Sequence, residues 1–292
     1  MPDEGLATAL FLALRMRRPL FLEGDPGVGK TEVARTVAAV SGAELIRLQC
    51  YEGIDSSQAV YEWDYSRQIL HLRAAEAAAK LGAEGKATST EDLEDELFTE
   101  RFLVARPLLA AMRSGAGVPP VLLVDEFDRA DDEFEAFLLE ALSDYTVTVP
   151  ELGTFHAEVP PVCILTSNRT RDVHDALKRR CLYHWVKHPG VEREARIIEA
   201  RAPQVPAELA RRVAAISQDL RGLGLYKPPG VSESIDWAVA LDTLGGGTLD
   251  VALARATLGT VLKYREDVDR VGDEVLEGLI GSAGGAGGEP GS

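Results

Sequence analysis

Apolar residues fall in short unbroken blocks through the first two thirds of the chain and at helical spacing through the last third. Pro19-Leu20-Phe21-Leu22-Glu23, Ala43–Cys50, Val121–Glu126, Val162–Asn168 and Cys181–Val186 read as strands. The fully apolar Val121–Val124 run is the pattern of a strand buried on both faces of a parallel sheet. Helical periodicity separates the blocks: Leu6–Arg15 (Leu6, Leu10, Phe11, Leu14), Thr31–Val40, Arg67–Lys80, Arg101–Met112 and Asp131–Leu142. Thr90 is placed to cap an acidic helix over Thr90–Leu97, and Gly82–Thr90 reads as a mobile connection. Tyr145–Pro150 and Thr154–Val159, with Gly153 between, read as a hairpin. The last third predicts helices at Glu192–Arg201, Pro206–Leu220, Ser232–Leu244, Thr248–Tyr264 and Asp267–Leu279. From Gly281 to Ser292 the chain is too poor in apolar residues to order itself and reads as a disordered tail.

The first strand runs into Gly24-Asp25-Pro26-Gly27-Val28-Gly29-Lys30-Thr31, which fits the phosphate-loop pattern G-x-x-x-x-G-K-[ST] between a strand and a helix. A triphosphate presents many anionic oxygens, and glycines let successive backbone N–H groups converge on them at a helix N-terminus. Lys30 then reaches the β- and γ-phosphates, and the Thr31 hydroxyl is a ligand for Mg2+. The short helix Leu6–Arg15 either lies over the nucleotide base or is an ordinary packing helix.

The fully apolar strand ends in Asp125-Glu126. Ligands sit at the carboxyl ends of strands in open α/β sheets, so Asp125 is placed to hold Mg2+ through water and Glu126 to activate the attacking water. Asn168 ends another strand and is either a partner for that water or the γ-phosphate, or a turn residue. Arg179 and Arg180 are either surface charge or arginine fingers, and a finger working in trans requires a ring or dimer. In the stretch Tyr51–Tyr65, aromatics and carboxylates alternate around Trp63, as either a partner-facing loop or a folded elbow.

A formal net charge of −16 argues against a nucleic-acid binder, since phosphate backbones want a basic surface. Cys50, Cys163 and Cys181 form no C-x-x-C pair and read as reduced, buried thiols of a cytoplasmic protein. No apolar run approaches the ~20 residues of a membrane span, and the acidic start carries no secretion signal.

Together the phosphate loop, Leu123-Val124-Asp125-Glu126, the strand ending at Asn168 and Ala176-Leu177-Lys178-Arg179-Arg180 resemble the AAA+ ATPases, and within them the MoxR family. Tyr61–Gln68 and Leu177–Trp185 look like the CoxD-like subgroup encoded beside carbon monoxide dehydrogenase. The resemblance implies an α/β P-loop NTPase fold: a five-stranded, three-layer parallel-sheet core followed by an all-α lid. It places the core at residues 1–188, with a helical insertion within 54–105 and the hairpin at 147–159, and the lid at 189–280. It implies ATP hydrolysis with Mg2+, Asn168 as sensor, and Arg180 as the finger with Arg179 second. It further implies a homo-oligomeric ring, with a hexamer expected, and a partner carrying a von Willebrand factor A-type domain. The implied task is maturation of the metal cofactor of a client enzyme. Where the family usually has a second sensor arginine, this chain has Glu233; Lys227 substitutes for it, or coupling to the lid is weak. Two other classes stay open: a nucleotide-gated scaffold without turnover, and an ATP-driven nucleic-acid loader, which the acidic balance disfavours.

Overall fold

The computed structural model describes residues 4–80, 95–114, 117–245 and 249–285. Contacts divide the chain into two compact units, Met1–Gly24 with Lys30–Trp185, and Asp25–Gly29 with Val186–Ser292.

The first unit is built on a five-stranded sheet of β1 (Leu20–Glu23), β2 (Leu45–Gln49), β5 (Val121–Asp125), β8 (Val162–Ser167) and β9 (Leu182–Trp185). All pairings are parallel and the order is β2-β5-β8-β1-β9. Every residue of β1 and β5 is buried, as expected of strands covered on both faces. Helix α1 (Glu4–Met16) packs on β1 and β9, and α2 (Lys30–Ser41) on β2, β5 and β8. The predicted apolar face of α1 is only partly used. Leu6 and Ala13 are buried, whereas Phe11, Leu12, Leu14 and Met16 are exposed, because the side of the helix that meets the sheet carries Leu6 and Ala13 rather than the bulkier stripe.

The stretch expected to be an insertion, residues 54–105, holds α3 (Ser56–Val60), β3 (Tyr61–Trp63), α4 (Tyr65–Lys80) and β4 (Leu103–Ala105), followed by α5 (Pro107–Arg113). Here the expected helix over Arg101–Met112 is corrected. Pro107 fixes a helix start and disfavours helical backbone in the residue before it. The preceding backbone instead pairs antiparallel with β3, Leu103 opposite Trp63. Trp63 belongs to the folded elbow: it is buried, edge-on to Tyr61 and Phe98 at 5.9 and 5.3 Å, while Tyr51 and Tyr65 are exposed. Gly82–Thr90 and the start of the acidic helix lie outside the described residues.

After β5 come α6 (Asp132–Asp144) and the hairpin β6 (Thr146–Val149) with β7 (Gly153–His156). Asp131 caps α6 by accepting from Phe134 N–H at 2.9 Å, and three acids in the first turn suit the positive end of the helix dipole. Helix α7 (Asp175–Arg180) leads into β9.

The second unit is helical: α8 (Val191–Arg201), α9 (Ala207–Gly222), α10 (Val231–Gly245), α11 (Val251–Val261), α12 (Arg265–Arg270) and α13 (Asp273–Gly285). Its core gathers Ile198, Val213, Ile216, Trp237, Leu241 and Leu258. The expected single helix Asp267–Leu279 is two, broken at Val271-Gly272, where buried Val271 leaves helical backbone at φ −87° and ψ 72°; within the first of them buried Asp267 accepts the Tyr226 and Lys227 N–H groups. The expected Thr248–Tyr264 helix is shorter, because Asp250 caps it by accepting from Leu253 N–H. Helix α13 continues through Gly285, into the segment read as a disordered tail; the remainder of that segment lies outside the described residues.

Candidate nucleotide site

Strand β1 ends at Glu23, and Gly24 N–H donates to Ser167 O at 3.3 Å, holding the start of the loop against β8. Gly27 and Gly29 have φ of 78° and 94°, a left-handed backbone that glycine adopts without strain. Between Gly24 and Lys30 the stretch Asp25-Pro26-Gly27-Val28-Gly29 groups with the second unit, where Val231 N–H donates to Gly27 O at 3.0 Å. In that unit Glu233 accepts from Gly230 N–H at 3.1 Å, so its carboxylate closes the start of its own helix.

Lys30 opens α2, is buried, and donates from Nζ to Gly24 O at 2.7 Å. Thr31 Oγ1 donates to Asp125 Oδ1 at 3.0 Å across the residues that separate the two motifs in sequence. Asp125, 3% exposed, carries three further bonds. Thr166 Oγ1 donates to the same Oδ1 at 2.6 Å, and Arg47 donates to Oδ2 from Nε at 3.0 Å and Nη2 at 2.6 Å. The Thr31 hydroxyl and the Asp125 carboxylate are hard oxygen donors that meet at 3.0 Å, a donor set that fits Mg2+.

Glu126 has φ 53° and ψ 47°, a left-handed conformation that is uncommon outside glycine and concentrates at functional sites. Its N–H donates to Thr166 Oγ1 at 3.0 Å. Its Oε2 accepts from Gln49 Nε2 at 3.1 Å and faces Arg129 Nε at 3.0 Å. Asn168 follows β8 at the same carboxyl edge, its backbone N–H bonded to Asp128 Oδ1 at 3.1 Å. Asp128 is buried and also takes the Thr170 N–H and hydroxyl, tying the turn after β5 to the end of β8. The structure therefore brings Gly24, Lys30, Thr31, Asp125, Glu126 and Asn168 to one edge of the sheet.

Arg179 and Arg180 are not part of that group. Leu182 N–H donates to Pro19 O at 2.8 Å, so both arginines precede β9 at the amino edge, the far end of β1 from Gly24. Both are exposed, and Arg18 holds the carbonyls of Arg179, Arg180 and Cys181 at 2.6, 3.0 and 3.2 Å. With Arg17, Glu140, Asp144 and Tyr145 they line a surface groove.

Arg47, Gln49, Thr166, Asp128 and Arg129 are not legible as site residues in the sequence. The available signal is Arg47 and Gln49, two polar residues spaced to share one face of an otherwise apolar strand. Asp132, Glu135 and His174 also converge, but Arg171 already bonds Asp132 at 2.9 Å and Glu135 at 3.0 Å, which makes that cluster an ion-pair network. Burial, followed by the Asp125 carboxylate, pushes the Cys50 thiol up to about 12, in keeping with its reading as an inert buried thiol.

The family model described as AAA domain (dynein-related subfamily) matches residues 19–181. Among solved structures, a mutant of RuvB from Thermotoga maritima has a TM-score of 0.50 at 16% identity, covering 93% of this chain and 70% of that one. A candidate ATPase from Cytophaga hutchinsonii has a TM-score of 0.46 at 14% identity, covering 91% and 78%. Midasin from Giardia intestinalis is 47% identical over 45 residues, which is 15% of this chain and 1% of that protein. The RuvB likeness concerns the fold alone.

Proposed function

Since the chain belongs to the AAA domain family, dynein-related subfamily, we propose that it is an ATP-hydrolysing remodelling factor of MoxR type, of the CoxD-like subgroup, working as a ring of identical chains. The observation that carries the reading is the bond from Thr31 Oγ1 to Asp125 Oδ1, with Lys30 and Glu126 as their chain neighbours. In this reading the backbone of Gly24–Gly29 and the Lys30 ammonium bind the phosphates. Thr31 and Asp125 hold Mg2+, which when bound neutralises phosphate charge. Glu126 takes a proton from the attacking water, and Asn168 orients that water or the γ-phosphate. Arg180, with Arg179 beside it, lies at the opposite end of β1 and so serves a neighbouring chain's nucleotide. A hexamer, a partner with a von Willebrand factor A-type domain, and a client metalloenzyme such as a molybdenum-containing carbon monoxide dehydrogenase complete the proposal by resemblance.

The test is steady-state ATP turnover against protein concentration, for the native chain, Glu126→Gln and Arg180→Ala. Specific activity should rise as chains assemble. Glu126→Gln should lower turnover by about 10²–10⁴ with nucleotide still bound, and Arg180→Ala by about 10³ or more. A concentration-independent rate that Arg180→Ala leaves intact would refute the trans arrangement. The second reading, a nucleotide-gated scaffold, is favoured by the bonds Glu126 makes to Gln49 and Arg129. It predicts tight ATP binding with no turnover at any concentration, with or without the partner.

A further inference from the structure

Asp125 has two oxygens and both are fully engaged: Oδ1 by the Thr31 and Thr166 hydroxyls, Oδ2 by the Nε and Nη2 of Arg47. The two partners of Oδ2 come from one guanidinium, and their geometry is that of a fork on a carboxylate oxygen. Arg47 lies on β2 beside β5, opposite Leu123, and its Nη2 also donates to Gln49 Oε1. The pair is asymmetric in exposure. The Asp125 side chain is 4% exposed and the Arg47 side chain 47% exposed, so the carboxylate is fixed while the guanidinium can leave into solvent.

We propose that Arg47 is a removable counter-cation of Asp125, which a divalent ion must displace to use that carboxylate. The proposal rests on the reading of this site as a Mg2+-nucleotide site. The electrostatics are direct. A buried carboxylate is costly to leave uncompensated, and a monocation on a long flexible stem is a tolerable substitute. A divalent cation and a guanidinium on one carboxylate repel each other, so the two occupancies compete. Arg47 neutralises the carboxylate when no metal is bound and raises the concentration of Mg2+ needed to bind there. A residue that merely props Asp125 in place would act with the opposite sign, because its loss would disorder a metal ligand and weaken the ion.

The experiment titrates MgCl2 into the full chain with a fluorescent N-methylanthraniloyl-ADP and reads the midpoint of the Mg2+-dependent change. The variants are Arg47→Met and Arg47→Gln, which remove the charge while keeping much of the stem, and Arg47→Lys, which keeps the charge. Thermal unfolding of each variant confirms that it is folded. Both neutral variants should lower the midpoint about fivefold, equivalent to about 1 kcal/mol at 1.4 kcal/mol per tenfold, while Arg47→Lys stays within about twofold of the native chain. A midpoint that is unchanged or raised in both neutral variants, with the native chain titrating normally, overturns this inference alone. A native chain that gives no nucleotide signal overturns the site reading and this inference with it.

Discussion

Thr166 is the residue whose replacement tests the site most sharply. One hydroxyl serves two neighbours there, donating to Asp125 Oδ1 at 2.6 Å and accepting from Glu126 N–H at 3.0 Å. The side chain is 1% exposed, so water cannot take over either bond. Thr166→Val keeps the shape and removes both. An orphaned buried donor costs about 1–3 kcal/mol and a lost bond to a charged acceptor about as much; Asp125 retains Thr31 and Arg47, so the sum is about 3 kcal/mol. For a unit of this size each kcal/mol moves the unfolding midpoint by about 2–4 °C, giving a drop of about 6–12 °C. Turnover should suffer beyond stability, because the same hydroxyl anchors the left-handed backbone of Glu126, a conformation that itself costs about 1–3 kcal/mol. We expect kcat for ATP to fall about tenfold or more with KM little changed, and Thr166→Ser to restore most of both losses. The assay pairs thermal unfolding with steady-state ATP turnover. An unfolding midpoint within about 1 °C of the native value, at unchanged kcat, would show that the hydroxyl holds nothing.

Two predictions concern parts of the chain away from that hydroxyl. Arg221 grips buried Glu194 through two bonds of 2.6 Å, so Arg221→Ala should destabilise the chain by about 3–5 kcal/mol in urea unfolding, whereas Arg221→Met with Glu194→Leu should be close to neutral; equal losses in both would contradict the buried-charge argument. Burial pushes the thiols of Cys50 and Cys181 up to about 12 from the ordinary 9.0 and raises Cys163 as well. The folded chain therefore keeps protons that the unfolded chain releases, so this contribution is whole below pH 9 and is lost as pH rises from 9 towards 12. Replacing the three cysteines by alanine should flatten that part of the stability–pH curve, and an unchanged slope in urea midpoints would refute the assignment.

The motifs are legible in the sequence because their chemistry demands contiguous residues. A phosphate loop needs its glycines, lysine and threonine in one turn, and Asp125-Glu126 announces itself as two acids ending a fully apolar run. The parallel strands are legible because burial on both faces erases alternation. What stays hidden depends on partners distant in sequence. Nothing local to Arg47 says that β2 will lie beside β5 and bring its guanidinium to Asp125. The three-residue strands β3 and β4 exist only through each other, and the apolar spacing of Arg101–Met112 masks the helix-start signal of Pro107. The sequence around Trp63 leaves a partner-facing loop and a folded elbow both open because its neighbours are charged, and only the pairing of β3 with β4 turns it inward against Phe98.

The strand order has a consequence for how the protein is made. Among the described residues β1 pairs with β8 and β9 alone, Leu20 lying between Ile164 and Leu182. The ribosome delivers β1 well before these partners, which follow only after residue 160. At about 5–20 residues per second, the phosphate-loop strand waits on the order of ten to thirty seconds with its apolar edge unpaired. The sheet edge that carries the candidate nucleotide site therefore forms late, after β9 has been made. A ribosome stalled before Leu182 would carry a complete phosphate-loop motif whose strand lacks its β9 partner.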